Sequence, residues 1–154
     1  MADQDDAGRP VRELVPALRR TAYLLSGDWH RADEIVRLTL ARVVADRRRA
    51  GPADDLAALL RAALVRCWSA DRRRSDAGPA GRPELVRALM GMPHRQRACV
   101  VLRYWERCGV EETARLLGCP PGVVRRETTE GLQTLLSLRP EYDHKRTGPS
   151  MITE

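Results

Sequence analysis

The sequence of 154 residues contains no phenylalanine, and aromatic residues make up only 4% of it. Any hydrophobic core must therefore be built from aliphatic side chains. Runs of valine, isoleucine and threonine, which favour β-strands, are also scarce. Together these shortages predict an all-α protein, in which helices pack on one another through leucine, valine and alanine.

No apolar run approaches the roughly 18 residues needed to cross a bilayer. The first ten residues, MADQDDAGRP, are acidic and polar, unlike a signal peptide. We therefore expect a cytoplasmic protein with no membrane insertion.

Cysteine and histidine are few and isolated. The four cysteines form no CxxC pair, and no histidine lies at a metal-ligand spacing from them. They are Cys67, Cys99, Cys108 and Cys119. We interpret them as small hydrophobic side chains and expect no disulfide, metal or cofactor. Because paired nucleophile and base residues and a glycine-rich phosphate loop are also missing, the sequence does not predict an enzyme.

Arginine is what the sequence has in excess. The formal net charge is +6, and Lys145 is the one lysine among 27 basic residues. This charge favours a polyanionic partner, such as nucleic acid, an acidic protein surface or an anionic membrane. Arginine binds phosphate and carboxylate through its planar guanidinium. GC-rich codon usage explains the arginine bias equally well, so charge alone does not choose the partner.

Three amphipathic helices are predicted in the first half of the chain. Apolar residues recur at spacings of three and four over residues 11–25, 32–43 and 56–68. Ser26-Gly27-Asp28 provides a glycine stop and a capping residue between the first two helices. Gly51-Pro52 ends the second, and either Asp54 or Asp55 can cap the third.

The segment SDAGPAGRP, which ends at Pro83, is composed almost entirely of small, polar, glycine and proline residues, and it predicts a flexible linker. We therefore predict two small helical domains, at 11–75 and 84–138, joined by a linker at 76–83. The tail, 139–154, lacks periodicity and is predicted to be disordered. Within the second domain, helices are predicted at 84–90, 94–107, 110–117 and 121 to about 136. Trp105 is expected on the buried side of the second of these.

The last two predicted helices have the spacing of a helix-turn-helix. This motif needs a small residue on its first helix, a glycine at the turn and an aliphatic residue on its second helix. Ala114, Gly118 and Val124 meet these needs, and Pro121 suits the first turn of the second helix. Because any helical hairpin with a glycine turn can mimic the pattern, it favours DNA binding without establishing it.

The two halves together resemble an extracytoplasmic-function (ECF) sigma factor, the small two-domain promoter-recognition subunit of bacterial RNA polymerase, in its short actinobacterial form. The resemblance covers residues 11–138. LRRTAYLLSGDWHRADEIVRLTLARVVADRRR resembles the part that binds the polymerase clamp, and LLRAALVRCWSADRRRS the part that meets the minus-ten element. LMGMPHRQRACVVLRYWERCGVEETARLLGCPPGVV resembles the domain that reads the minus-thirty-five element. The resemblance implies transcription initiation as the function, and polymerase core, promoter DNA and an inhibitory anti-sigma factor as partners.

The resemblance also implies three groups of site residues. The residues implied to bind polymerase core are Asp33, Glu34 and Arg37. Those implied to contact the minus-ten DNA are Arg48, Arg49, Arg66, Trp68, Arg72, Arg73 and Arg74. Those implied to contact the minus-thirty-five DNA are Pro121, Gly122, Arg125, Arg126 and Thr129. Two alternatives stay open here, because Trp68 can stack on a base or pack in the core, and the arginine triplets can contact phosphate or end solvated helices.

The sequence departs from the family pattern at several positions. Arg37 and Leu38 replace a glutamine and an acidic residue, and Arg66 stands where asparagine is common. In the recognition helix, Glu127 and Glu130 can pair with local arginines on the flank, accept a hydrogen bond from cytosine, or repel phosphate. These departures support an alternative function, a sigma-derived regulator that binds polymerase or another regulator without recognising promoters itself.

Overall fold

The computed structural model describes residues 9–50, 55–71 and 81–138, and the predicted all-α fold is confirmed over these ranges. The helices are α1 Arg9–Ser26, α2 Trp29–Ala50, α3 Leu56–Ala70, α4 Glu84–Met90, α5 His94–Val100, α6 Val110–Leu117 and α7 Pro121–Ser137. None of these helices is long and apolar enough to cross a membrane. We refer to residues 9–71 as the N-terminal unit and to residues 81–138 as the C-terminal unit.

The N-terminal unit is a three-helix bundle whose helix ends follow the capping residues of the sequence. Gly27 has a φ of 73°, the left-handed conformation that ends α1. Asp28 Oδ1 then accepts a hydrogen bond of 2.8 Å from the backbone N–H of His30. At the start of α3, Asp55 Oδ1 accepts one of 3.0 Å from the N–H of Ala58. Asp55 is therefore the cap of α3, and Asp54, the other candidate, lies outside the described residues.

The C-terminal unit differs from the sequence prediction where one helix was expected over 94–107. After α5 the chain forms a π-helical turn, Val101–Trp105, closed by a 3.0 Å hydrogen bond from Glu106 N to Val101 O. This wider turn shifts the helical phase. As a result Trp105 is 50% exposed, and the prediction that it lies on the buried side is wrong. Arg107, with a φ of 57°, then reverses the chain ahead of α6.

The two units pack directly against each other. The largest buried cluster contains side chains of both units, including Leu25 and Trp68 from the N-terminal unit and Leu89 and Val101 from the C-terminal unit. A second cluster joins Val65 of α3 to Leu102 and Cys108. The predicted linker at 76–83 is described only from residue 81 onward.

One arginine ties the two units together through backbone carbonyls. The guanidinium of Arg97 on α5 donates to Leu25 O at the end of α1, at 2.9 Å. It also donates to carbonyls of its own unit, those of Leu89 at 2.8 Å and of Met90 and Met92 at 3.3 Å each. Burial, followed by the charge of Arg82, lowers the pKa of Arg97. These contacts anchor the end of α1 to the turn between α4 and α5.

Candidate nucleic-acid interface

The helix-turn-helix forms from α6, the turn at Gly118 and α7. Gly118 adopts left-handed φ and ψ angles of 64° and 38°, which a glycine accommodates without steric cost. Ala114 and Val124 are buried and pack together with Cys99 of α5. The three positions on which the sequence prediction rested therefore hold the two helices in a fixed crossing.

The second helix, α7, presents a polar face away from this core. Gly122, Arg125, Arg126 and Thr129 are all exposed, and their spacing of three and four places them on one side of the helix. Pro121, the first residue of α7, is half-buried. Within the described part of the chain, neither Arg125 nor Arg126 forms an ion pair, so both guanidinium groups are available to an anionic ligand. Thr129 Oγ1 donates to Arg125 O at 2.9 Å, which leaves its oxygen free to accept.

Close approach of α7 to α5 sets the direction of this polar face. Gly131 is buried on the opposite side of α7, where an added Cβ would overlap Cγ2 of Val100 and lie 3.2 Å from Cγ of Gln96. Glycine is therefore required for the helices to cross at this separation. The crossing turns the side of α7 that carries Arg125 and Arg126 outward.

The two glutamates of α7 lie at the edge of this polar face, since Glu130 follows Arg126 by one helical turn. Glu127 is half-buried, and its charge acts on the thiol of Cys99 beneath the helix. Glu130 is exposed and accepts a 3.5 Å hydrogen bond from Nε2 of Gln96. Among the described residues neither glutamate pairs with Arg126 or another arginine, so the expected ion pairs do not form. This differs from the first of the three alternatives, in which the glutamates pair with local arginines.

The residues predicted to contact the minus-ten element differ from one another in their exposure to solvent. Arg48 and Arg66 are exposed, and Arg66 lines a cleft between α3 and α6 opposite Arg115. Trp68 is only 4% exposed, and its indole stacks on the imidazole of His94 with ring centroids 3.8 Å apart. In this conformation Trp68 is therefore a packed side chain and not an accessible stacking surface. The side chain of Arg49 and the triplet Arg72, Arg73 and Arg74 lie outside the described residues.

The residues predicted to bind polymerase core lie on α2. Asp33 is half-buried and receives hydrogen bonds from Nε and Nη2 of Arg19. The hydrogen bond from Arg19 lowers the pKa of Asp33 below its usual value. Glu34 lies 3.6 Å from the imidazole of His30, and Arg37 is exposed. The acidic pair is thus partly engaged within the unit, whereas Arg37 faces solvent.

Sequence reasoning missed the aromatic surroundings of Asp33. The guanidinium carbon of Arg19 lies 4.4 Å from the ring centroid of Trp29, and the Trp29 ring stacks on Tyr23 at 3.8 Å. Arg19 and Tyr23 are four residues apart on α1, a spacing that signals a shared helix face. No local signal places Trp29 or Asp33 beside them, because both lie on the next helix.

Sequence reasoning also missed a bridge of charged groups between the two units. Arg61 of α3 donates from Nε to Glu106 at 3.0 Å and from Nη1 to Glu112 of α6 at 2.9 Å. The hydroxyl of Thr21 on α1 donates to the other carboxylate oxygen of Glu106. Burial acts to lower the pKa of Arg61, but the hydrogen bond to Glu106 and nearby negative charge outweigh it and raise that pKa. Because the partners are separated by 45 and 51 residues, periodicity could not identify them.

The four cysteines are free thiols. Burial is the main cause that raises the pKa of Cys99 and of Cys108 to about 11. Both are therefore protonated at neutral pH and serve as core side chains. Within the described ranges, no three potential ligand side chains come together to hold a metal ion.

Comparison with known proteins agrees with this geometry. The family model for sigma-70, region 4 matches residues 82–135, which contain α6, the turn and all but the last two residues of α7. The C-terminal unit is therefore a sigma-70 region 4 domain.

Similarity extends over both units. The RNA polymerase sigma-E factor of Streptomyces antibioticus is 31% identical, over 81% of this chain and 79% of the relative. The ECF RNA polymerase sigma factor EcfG of Rhodopseudomonas palustris (strain TIE-1) is 27% identical, over 83% of this chain and 82% of the relative. This chain belongs to the ECF family of RNA polymerase sigma factors.

A solved structure has the same fold. The sigma factor RpoE of Bartonella quintana, crystallised in complex with the anti-sigma factor NepR, superimposes with a TM-score of 0.67 at 22% identity. The match covers 86% of this chain and 96% of the RpoE chain. The likeness thus includes helices of both the N-terminal and the C-terminal unit.

Proposed function

We propose that this chain directs RNA polymerase core to promoters by using its two units on two promoter elements. Residues 84–138 bind minus-thirty-five duplex DNA, and residues 11–75 bind polymerase core and the minus-ten strand. The observation that carries the proposal is the outward face of α7, where Arg125 and Arg126 are exposed and form no ion pair with any described residue, on a sigma-70 region 4 scaffold. A helix-turn-helix inserts this helix into the major groove.

The proposed roles follow from side-chain chemistry. Arg125 and Arg126 bind phosphate or the O6 and N7 acceptors of guanine, and Thr129 contacts a base edge. Pro121 and Gly122 lie at the start of α7, where backbone approaches the duplex most closely. Glu130, at the rim of this face, is oriented by Gln96 and can accept from a cytosine amino group.

The N-terminal unit supplies the remaining roles. Asp33, Glu34 and Arg37 dock on polymerase core through the outer side of α2. The minus-ten strand is bound by arginines of this unit and by Trp68, with phosphate as the ligand of the arginines. The arginines are Arg48, Arg49, Arg66, Arg72, Arg73 and Arg74. The protein performs no covalent chemistry in this role and acts where polymerase is found, in the cytoplasm.

An anti-sigma factor is a proposed further partner. Support comes from RpoE of Bartonella quintana, which has the same fold and was crystallised with NepR. Such a partner would hold the chain away from polymerase.

Transcription with purified bacterial core polymerase tests the proposed function. The full chain should associate with core and give discrete start sites on a promoter library from the source genome. Association without initiation, or no association, would contradict the proposal and favour the sigma-derived regulator instead.

Replacing both outward arginines tests the role of α7. The double variant Arg125→Ala/Arg126→Ala should keep its association with core and lose affinity for duplex promoter DNA. The slope of log affinity against log salt should decrease in magnitude by about 1.8, because each phosphate contact contributes about 0.9. The matched control Arg12→Ala/Arg20→Ala removes the same charge from exposed positions on α1. Equal losses in the two variants would show that net charge, and not the α7 face, binds DNA.

A further inference from the structure

The surface of Trp68 is occupied by a side chain of the other unit. The His94 imidazole lies parallel to the indole, with an interplanar angle of 6° and a centroid distance of 3.8 Å. A nucleobase stacking on tryptophan would adopt the same parallel arrangement on the same ring face. His94 and a base therefore compete for one face of Trp68.

Other contacts around Trp68 also come from the C-terminal unit. Val65, one turn earlier on α3, is 2% exposed because Leu102 and Cys108 pack against it. Exposing Val65 to water would be unfavourable, because an apolar side chain is more stable when it is removed from water. The C-terminal unit thus covers an apolar side chain on this side of α3, and burial of Val65 favours the covered arrangement.

Arg61 is the charged contact that holds this arrangement at its edge. It lies one turn before Val65 on α3, and both of its carboxylate partners, Glu106 and Glu112, belong to the C-terminal unit. The side chains of Arg61, Glu106 and Glu112 are all part-buried. Solvent therefore screens the two ion pairs less than it would at an open surface. Two carboxylates on one guanidinium make the contact sensitive to a single charge reversal.

We infer that this conformation is a closed state, in which the C-terminal unit covers the base-stacking face of Trp68 and the Arg61–Glu106–Glu112 contact is its latch. The inference rests on the proposed function, since it assigns Trp68 to single-stranded DNA. Opening moves His94 away from the indole and frees that face for a base. The chain alone therefore binds single-stranded DNA weakly until the latch is released.

Charge reversal of the latch tests the inference on the full chain. Arg61→Glu places three carboxylates together and should open the units, whereas Arg61→Glu combined with Glu106→Arg and Glu112→Arg should close them again. The rescue separates loss of the latch from loss of folding. Arg42→Glu, at an exposed position on α2, is the matched charge control.

Two readouts measure the opening. Acrylamide quenching of Trp68, in a background with Trp29→Tyr and Trp105→Tyr, should increase in Arg61→Glu and return to the starting value in the triple reversal. The affinity of Arg61→Glu for a short fluorescein-labelled single-stranded oligonucleotide of mixed sequence should increase. The increase should reach about tenfold if one molecule in ten of the unsubstituted protein is already open. Because Arg61→Glu also removes positive charge, simple electrostatics predicts weaker binding, and Arg42→Glu should show that weaker binding.

The outcomes separate the inference from the proposed function. Unchanged quenching in Arg61→Glu would show that the contact is no latch. Increased quenching without tighter binding of the oligonucleotide would show that the covered face does not stack on bases. Either result overturns the inference, whereas failure to initiate with core polymerase concerns the proposed function and is measured without these variants.

Discussion

The two helices expected to contact DNA, α3 and α7, differ in how accessible their side chains are. On α7 the side chains of Arg125 and Arg126 are exposed and unpaired among the described residues. On α3 the indole of Trp68 is covered, and the guanidinium of Arg61 is occupied by two carboxylates. One fold therefore leaves the proposed duplex-binding face open and covers the proposed single-strand face.

The difference follows from how many sides of each helix are apolar. The buried residues of α7, Val124, Thr128 and Gly131, share one side and face the rest of the C-terminal unit. On α3, Leu60 and Leu64 face the bundle of the N-terminal unit, while Val65 faces the C-terminal unit. A helix with a second apolar side needs a second partner, and here that partner is α6 with the π-helical turn.

Replacing Arg97 should have the largest effect, because its guanidinium donates hydrogen bonds to backbone carbonyls of both units. Arg97→Met leaves backbone carbonyls of both units without their donor, including Leu25 O. We expect the free energy of unfolding to fall by about 3 kcal/mol, since a buried group that loses a charged hydrogen-bond partner is costly. Chemical denaturation measures the loss.

The control is Arg95→Met, which removes the same charge from an exposed side chain two residues away. Its cost should stay within about 0.5 kcal/mol. Equal destabilisation by the two substitutions would mean that charge or helix propensity, and not the carbonyl contacts, accounts for the effect.

Local patterns predicted much of this fold and of the exposed face of α7. Apolar periodicity located the helices, Gly27 and the pair Asp54-Asp55 marked helix ends, and Gly118 located the turn of the helix-turn-helix. Each of these signals depends on residues within about one helical turn, so a single sequence contains it. The exposure of Arg125 and Arg126 follows from the same periodicity, once Val124 is known to face inward.

The covered face of α3 could not be predicted in this way. The contacts of Trp68 with His94 and of Arg61 with Glu106 join residues far apart in the chain, and side-chain periodicity does not report such pairs. The π-helical turn is a further example, because it changed the side to which Trp105 points without a glycine or proline to mark it. Packing between the units therefore required the structure.

Filling the close crossing of α7 and α5 at Gly131 should have the next largest effect. Gly131→Val places methyl groups where Val100 and Gln96 already lie, so α7 must shift on α5. We expect unfolding free energy to fall by about 2 kcal/mol and duplex DNA affinity to fall with it. Gly122→Ala is the control for the free energy of unfolding, since an added Cβ there meets nothing within 4 Å. A well-tolerated valine at 131 would show that the crossing does not set the direction of the polar face.

Removing the cap of α3 should have the smallest effect and should leave α7 unchanged. Asp55→Ala removes the 3.0 Å hydrogen bond to the N–H of Ala58, which should cost about 1 kcal/mol and speed amide exchange in the first turn of α3. Asp46→Ala, at an exposed position on α2, is the matched control. Because α3 takes no part in the outward face of α7, duplex DNA affinity should stay constant while exchange at Ala58 increases. A parallel loss of duplex affinity would mean that the order of α3 is transmitted to α7 through the contacts between the units, and that the open and covered faces are not independent.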